Sequence, residues 1–260
     1  MTRASREFQI FVKPMGSACN LGCSYCYYLD KSSGQEESLP MADDLLETYI
    51  LQHIEAFPGP VIPFSWHGGE PTLAGLEYFR RIVSLQRKHC PPGRRITNGL
   101  QTNGTLLDDD WCRFFAAEGF GVGLSLDGPE GMHDRYRVGK TGKPTHERAL
   151  RGYRLLRKHR VPHDILCVIN EHNVQYPMEV YGFFKEIGAG YLGFLPLVEP
   201  LPGGEVGPRS VPAEAFGRFL CAVFDEWTAR DIGRIRVQIF EEAASTAFGR
   251  DHALCCLLYT

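Results

Sequence analysis

Three cysteines lie within eight residues near the start of the chain, in the stretch "CNLGCSYCYY" at residues 19–28. Cys19, Cys23 and Cys26 follow the spacing C-x3-C-x2-C. Clustered cysteines of a reducing compartment are typical of metal ligands or catalytic groups rather than of disulfides. The spacing therefore predicts that the three thiolates share one metal centre.

The kind of metal centre is open from the spacing alone. Structural zinc takes four ligands, often as two C-x2-C pairs, and the sequence has no second such pair; His67 is one candidate fourth ligand. Iron–sulfur clusters also usually take four cysteines. Three cysteines would leave one iron of a [4Fe–4S] cluster open to a substrate or cofactor, and an open position is typical of catalytic metal sites.

Composition and charge limit the protein classes that fit. The 260 residues are 43% hydrophobic and 23% charged, with a net charge of -3, which is usual for a soluble globular protein. This balance does not favour a nucleic-acid partner. The N-terminus has no apolar signal segment, and no apolar run approaches the ~20 residues that span a bilayer. We expect a cytoplasmic protein with no membrane partner.

The remaining cysteines are expected to have no chemical role. Nine cysteines is an odd number, which argues against a closed disulfide framework. Cys90, Cys112, Cys167 and Cys221 are scattered among apolar residues, so we expect all four to be buried as small hydrophobic side chains.

Strand-like and helix-like segments alternate along most of the chain. Strands are predicted at 8–13, 61–69, 95–104, 121–128, 161–170 and 191–198, and helices at 42–57, 76–89, 108–119, 145–159 and 174–188. About six βα units in this order predict an α/β fold with a parallel sheet and right-handed crossovers.

The pattern changes after residue 198. Residues 199–212 are rich in Pro and Gly and predict a loop, followed by a helix at 213–231 and a short strand and helix at 235–249. We therefore predict a core domain at 1–198, and a second region at 199–260 with a connecting loop and a short helical extension.

The unusual residues fall where the predicted strands end. "GGEP" at 68–71, "QTNG" at 101–104 and "SLDG" at 125–128 each follow a strand, as the cysteine loop does. Ligands of parallel α/β folds bind at the carboxyl ends of the strands. Paired glycines let a backbone approach a ligand closely, and the Glu70 carboxylate can accept from an ammonium group. Asp127 fits equally well as a turn residue beside Gly128.

These motifs together resemble those of a known family. "CNLGCSYCYY", "WHGGEPTLAG", "QTNG", "SLDGP", "HDRYRV" and "FDEW" are similar to the motifs of the radical S-adenosylmethionine (SAM) superfamily, and within it to the anaerobic sulfatase-maturating enzymes. The resemblance extends from about residue 8 to residue 256. It implies a partial (β/α)6 TIM-like barrel of the radical SAM type.

The resemblance also implies cofactors, substrate and partners. Cys19, Cys23 and Cys26 would hold a [4Fe–4S] cluster whose fourth iron binds SAM, and one electron would give a 5′-deoxyadenosyl radical. The radical would start the oxidation of a cysteine or serine of a sulfatase polypeptide to Cα-formylglycine. A donor such as flavodoxin or ferredoxin would supply the electron. The alternatives are another radical SAM peptide-modifying maturase, or a truncated and inert module that binds SAM or peptide.

The resemblance assigns residues to the two ligands. Tyr28 and His67 would lie on the substrate side as candidate catalytic residues. Several arginines compete with Arg151, and Leu192 fits an ordinary core position equally well. The residues implied in SAM binding are Gly68, Gly69, Glu70, Pro71, Gln101, Asn103, Ser125, Asp127, Arg151 and Leu192.

The end of the sequence departs from the family pattern. Family members continue with two auxiliary [4Fe–4S] clusters and a candidate base, and "HALCC" resembles the segment that opens this region. Cys255 is the best match to an auxiliary-cluster ligand, and Cys256 is adjacent to it. We expect a chain truncated in this auxiliary-cluster (SPASM-type) region, with one cluster, slow SAM cleavage and little peptide oxidation.

Overall fold

The computed structural model describes residues 3–28, 39–201 and 203–250. Alternating parallel strands and helices make it an α/β protein, as the sequence predicts. The chain divides into two compact units. The first contains the residues up to Leu124 together with Val138–His163, and the second contains Ser125–Arg137 and the residues from Asp164 onward.

Four strands pair in the order of the chain through the first unit. They are β1 (Phe11–Val12), β2 (Val61–Trp66), β3 (Arg95–Thr102) and β4 (Phe120–Ser125). Each pairs in parallel with the next, so their carboxyl ends lie at the same edge. In β2 alternate residues are buried, which is the pattern of a strand whose two faces differ. This geometry brings the segments that follow β1, β2 and β3 together.

The helices of the first unit connect these strands. Asp108 caps one of them, because its side chain accepts a hydrogen bond from Trp111 N at 2.9 Å, and Gly119 ends the same helix in the left-handed conformation with φ 66°. The four helices are α1 (Asp43–Ala56), α2 (Leu76–His89), α3 (Asp109–Glu118) and α5 (His146–Lys158).

An aromatic core packs α2 and α3 against the first unit's strands. The ring of Phe79 lies 5.4 Å from that of Trp111, and Phe115 lies 5.4 Å from Phe120. Burial of these large rings contributes much of the hydrophobic stabilisation. This packing stabilises the strands whose carboxyl ends carry the motif residues.

The second unit has three strands and four helices in its described residues. The strands β5 (His163–Ile169), β6 (Tyr191–Pro196) and β7 (Arg236–Val237) pair in parallel in that order. The helices are α4 (Glu130–Tyr136), α6 (Pro177–Glu186), α7 (Ala213–Arg230) and α8 (Gln238–Ala247). Short 3-10 turns lie at Pro71–Ala74 in the first unit and Asn173–Gln175 in the second.

Some sequence predictions differ from the structure. Cys112 and Cys167 are buried as expected, but Cys90 is only half-buried and Cys221 is exposed. The expectation for Cys221 was wrong because Cys221 lies on the side of α7 that is exposed to solvent. The helix α4 was not predicted, since its seven residues are too few to show a period.

Two predictions are not tested by this fold. The domain boundary between residues 198 and 199 stays a prediction. Cys255 and Cys256 lie outside the described residues. Within the described ranges, no helix combines the length and the apolar character needed to cross a membrane.

Candidate functional site

The cysteine loop follows β1 and is held by its own backbone turns. Ala18 N donates to Met15 O at 3.1 Å, and Cys26 N donates to Cys23 O at 2.9 Å. Cys23 is buried, whereas Cys19 and Cys26 are half-buried. The loop thus presents its three thiols from a folded segment of the first unit.

The two glycines of "GGEP" pack directly on this loop. Gly69 N donates to Gly16 O at 3.0 Å, and Glu70 N donates to Ala18 O at 2.7 Å. A Cβ atom on Gly69 would lie 2.0 Å from the carbonyl oxygen of Ala18, and Gly68 has φ 114°. Only glycine fits these positions without displacement of the cysteine loop. The sequence explained the glycines by the approach of a ligand, but the group they approach in this structure is the loop backbone.

Glu70 joins the "GGEP" and "QTNG" turns. The residue is completely buried. Its Oε1 accepts from Thr72 N at 3.0 Å, Thr72 Oγ1 at 2.5 Å and Thr102 Oγ1 at 2.7 Å, and its Oε2 accepts from Asn103 N at 2.8 Å. Burial raises the pKa of the carboxyl group, and these hydrogen bonds oppose the rise. Glu70 therefore fixes two strand-end turns relative to each other.

Asn103 takes part in a closed ring of hydrogen bonds beside Cys19. Asn103 Nδ2 donates to Asn20 Oδ1 at 2.9 Å, Asn20 Nδ2 donates to Thr105 Oγ1 at 2.8 Å, and Thr105 Oγ1 donates to Asn103 Oδ1 at 2.7 Å. Asn103 Nδ2 also lies 3.7 Å from Cys19 Sγ. The ring connects the cysteine loop with the segment that follows β3.

Burial dominates the environment of the Cys19 thiol. Burial raises its pKa to about 11; the Leu21 N–H, 3.4 Å from Sγ, opposes this, and the charges of Glu70, Cys23 and Cys26 add to it. No three Cys, His, Asp or Glu side chains of the described residues converge on a single ion. Such convergence is not what a cubane cluster requires, because each cysteine binds a different iron atom.

Tyr28 and His67 lie near one exposed lysine. The Lys13 ammonium is 4.7 Å from the centre of the buried Tyr28 ring, and Tyr27 Oη donates to Tyr28 Oη at 3.0 Å. Burial, and then the charge of Lys13, lower the pKa of His67. His67 Nδ1 is buried and has no hydrogen-bond partner among the described residues. The imidazole is thus neutral near pH 7, and its Nδ1 atom is enclosed by the protein.

Three residues that were predicted to bind SAM belong to the residue ranges of the second unit. Ser125 is half-buried at the end of β4, and Leu192 is fully buried in β6. Asp127 is buried; its Oδ2 accepts from Arg137 Nε at 2.9 Å and its Oδ1 accepts from Val168 N at 3.0 Å. Asp127 is thus a partner of a buried arginine, in addition to preceding the turn at Gly128.

Arg151 and Gln101 belong to the first unit. Arg151 is exposed on α5, and its Nη2 donates to the carbonyl oxygens of Thr105 at 3.2 Å and Leu107 at 3.5 Å. Gln101 is half-buried in β3. Their assignment to SAM stays a prediction, as do the assignments of Pro71 and the other strand-end residues.

Sequence reasoning missed several residues that this geometry makes prominent. Asn20, Thr72, Thr102 and Thr105 hold the side chains of Glu70 and Asn103, and Arg137 pairs with Asp127. The letters "TNGT" at residues 102–105 carried a signal, because Thr and Asn side chains readily bond to nearby backbone groups. Arg137 lies in the "HDRYRV" motif, but the motif alone does not indicate that its side chain pairs with Asp127.

Comparison with protein families identifies the core of the chain. The model of the radical SAM superfamily matches residues 14–184. The chain is 38% identical to a serine-type anaerobic sulfatase-maturating enzyme of Bacteroides thetaiotaomicron, over 97% of this chain and 65% of that protein. It is 36% identical to a cysteine-type enzyme of Clostridium perfringens, over 88% of this chain and 63% of that protein. The chain thus spans just under two thirds of the length of these relatives.

Solved structures agree with this similarity. The structure of anSMEcpe with bound AdoMet and the Kp18Cys peptide has a TM-score of 0.86 and 34% identity, covering 94% of this chain and 67% of the other. The Streptococcus suis SuiB structure bound to SAM has a TM-score of 0.63 at 16% identity and shows likeness of fold alone. These matches confirm the predicted fold class. With the cysteine loop, the "GGEP" turn and the family match in agreement, the chain belongs to the radical SAM superfamily.

Proposed function

We propose that this chain is the SAM-binding core of an enzyme that oxidises a cysteine or serine of a sulfatase polypeptide to Cα-formylglycine. The observation that carries the proposal is the cysteine loop, whose backbone is bonded to the "GGEP" turn at Gly69 and Glu70. The similarity to both serine-type and cysteine-type sulfatase-maturating enzymes supports the substrate class.

The residues present fit a [4Fe–4S] cluster. Cys19, Cys23 and Cys26 are soft thiol ligands on one loop, and the Cys19 sulfur already has N–H groups of Leu21 and Asn103 near it. Such donors suit a thiolate, because they offset negative charge on sulfur. With SAM bound, the cluster would supply a radical that removes a hydrogen atom from the substrate. The cofactors carry that chemistry, while the protein orients the reactants.

The chain's own residues would prepare the substrate side. His67 is neutral near pH 7, so it would line the substrate side without adding charge. Tyr28, fixed by Tyr27 and the Lys13 ammonium, would form an adjoining wall. Gln101, Ser125 and Arg151 remain the proposed contacts to SAM.

The overall oxidation needs more than hydrogen removal. After one hydrogen atom leaves the target Cβ, the substrate must still lose a proton to a base and an electron to an iron–sulfur acceptor. A flavodoxin or ferredoxin would supply the electron that starts each cycle. We also propose a cytoplasmic location, which suits a reduced cluster.

Anaerobic loading with iron and sulfide tests this proposal. We expect about four irons on the motif cysteines, and 5′-deoxyadenosine formation with SAM and a strong reductant. Two sulfatase-type peptides that differ only in cysteine or serine at the target should then be compared by mass spectrometry. Iron-loaded protein that never cleaves SAM would contradict the proposal, and modification at a different residue would favour another peptide maturase.

A further inference from the structure

We propose that the Asn103 side chain donates a hydrogen bond to the Cys19 thiolate and thereby raises the reduction potential of the cluster. Asn103 was expected from the sequence to line the SAM pocket. Its side-chain contacts instead point to the cluster ligand. The inference rests on the proposed function only in requiring that Cys19 is a ligand of an iron–sulfur cluster.

The orientation of the Asn103 amide is fixed by its neighbours. Its Oδ1 accepts from Thr105 N at 3.0 Å and from Thr105 Oγ1 at 2.7 Å, so the oxygen faces two donors. The Nδ2 atom must therefore face the other way, toward Asn20 Oδ1 at 2.9 Å and Cys19 Sγ at 3.7 Å. A flipped amide would place its NH2 group against the Thr105 N–H and lose that bond, because a backbone N–H cannot accept. The group nearest the sulfur is consequently a donor.

The surroundings keep this donor in place. Asn103 is 7% exposed, its backbone N–H donates to Glu70 Oε2 at 2.8 Å, and Asn20 and Thr105 complete the ring of hydrogen bonds. Glu70 N in turn donates to Ala18 O, one residue before Cys19. Asn103 is thus connected to the cysteine loop through both its backbone and its side chain.

An N–H donor beside a cluster ligand favours the reduced state. The reduced cluster carries one more electron, so its thiolates are more negative and gain more from a hydrogen bond than those of the oxidised cluster. Hydrogen bonds to the sulfurs are among the main determinants of cluster potential. Leu21 N is a second donor near the same Sγ, at 3.4 Å.

The test measures the midpoint potential of the iron-loaded protein without SAM. Electron paramagnetic resonance monitors the reduced cluster during a redox titration. Asn103→Ala should make reduction about tenfold less favourable, a shift of about -59 mV for one electron. Asn103→Asp keeps an oxygen for Thr105 but replaces the donor with an acceptor, so it should lower the potential further. Both variants are compared at equal iron content.

Asn98→Ala is the matched control. Asn98 is also a buried asparagine whose side chain is hydrogen-bonded, to Trp66 and Gln86. It lies within β3, five residues before Asn103 and about 16 Å away. We expect this variant to keep the potential of the parent protein.

The outcomes separate the inference from the proposed function. A parent protein that binds no cluster would contradict the proposed function. A parent that holds a cluster, with Asn103 variants of unchanged potential, would overturn only the inference. Loss of the cluster in both Asn103 variants but not in Asn98→Ala would also overturn it, because Asn103 would then merely support the loop.

Discussion

Asp127 and Arg137 form a buried ion pair in the second unit. The Asp127 side chain is 1% exposed and that of Arg137 10% exposed, and Nε lies 2.9 Å from Oδ2. Asp127 Oδ1 also accepts from Val168 N, so the carboxylate connects α4 with β5. Removal of one partner of such a pair leaves a buried charge without compensation. The pair is therefore a strong determinant of local stability.

We predict that Asp127→Ala lowers the free energy of unfolding by about 3–5 kcal/mol. The reason is that Arg137 would lose its carboxylate and Val168 N its acceptor. Denaturant unfolding measures the change. Glu77→Ala, which breaks an exposed pair with Arg80 at 3.2 Å, should have little effect. Equal stability of the Asp127→Ala protein and the parent would show that the pair contributes nothing net.

The motif cysteines give a second prediction at this scale. Cys23→Ala should abolish iron–sulfur absorbance and 5′-deoxyadenosine formation together, because a cluster with two protein ligands is not held. Cys112→Ala is the control, since Cys112 is a buried cysteine of α3 with its pKa raised to about 12, chiefly by burial. That variant should keep both signals. SAM cleavage by the Cys23→Ala protein would contradict the cluster assignment.

Among the elements, the turn after β2 is the most constrained by close packing. Gly69→Ala should prevent normal cluster loading, because the new methyl group would lie 2.0 Å from Ala18 O and displace the loop that carries Cys19. Iron content and absorbance after loading measure the effect. Gly121→Ala is a suitable control in β4, where no heavy atom lies within 4 Å of an added Cβ. A Gly69→Ala protein that binds iron like the parent would contradict this role of the turn.

Helix α1 and strand β2 enclose a neutral histidine. His53 is 3% exposed, its Nε2 hydrogen-bonds Pro63 O at 2.9 Å, and burial lowers its pKa. A lowered folded-state pKa means that the unfolded chain binds the proton more readily. The stability contributed by the neutral ring is therefore present above the unfolded pKa of about 6.5 and is lost as the pH falls toward the folded value.

We predict that the free energy of unfolding decreases as the pH falls below about 6.5, and that this dependence is shallower in His53→Leu. Denaturant titrations at several pH values between 5 and 8 provide the comparison. The slope of the unfolding free energy against pH reports the number of protons taken up on unfolding. Because the variant lacks one titrating group, its slope should differ by the equivalent of at most one proton. An unchanged slope in the variant would assign the acid sensitivity to other groups.

Regular elements could be predicted where their pattern was long. Helix α2 was predicted at its observed bounds, because its sequence is an amphipathic run that ends in basic residues. Strand β1 was predicted as six residues but has two, since only Phe11 and Val12 pair with β2. Pairing depends on the partner strand, which a local pattern does not contain.

The site could be predicted as a set of motifs but not as a set of contacts. The sequence predicted that the cysteine loop and "GGEP" lie at neighbouring strand ends, and the hydrogen bonds at Gly69 and Glu70 agree. It treated Glu70 as a ligand for an ammonium group, although the side chain accepts bonds from Thr72, Thr102 and Asn103. Those partners come from two turns, after β2 and after β3, and only folding brings the two turns together.

For the whole molecule, similarity supports the proposed chemistry more strongly than it defines the substrate. The serine-type and cysteine-type relatives are 38% and 36% identical to this chain. Sequence identities this similar do not distinguish a serine target from a cysteine target. In the proposed function, hydrogen removal from the target Cβ is the step that involves both the SAM-binding core and the peptide target.

Deuterium transfer tests that step most directly. A sulfatase-type peptide with two deuterium atoms on Cβ of its target residue is incubated with iron-loaded protein, SAM and reductant, and the 5′-deoxyadenosine is analysed by mass spectrometry. Hydrogen removal precedes loss of the second electron, so the readout does not depend on complete oxidation of the peptide. We predict 5′-deoxyadenosine carrying one peptide-derived deuterium, from the cysteine peptide, the serine peptide or both. If neither the cysteine peptide nor the serine peptide transferred deuterium to 5′-deoxyadenosine, the proposed function would be contradicted.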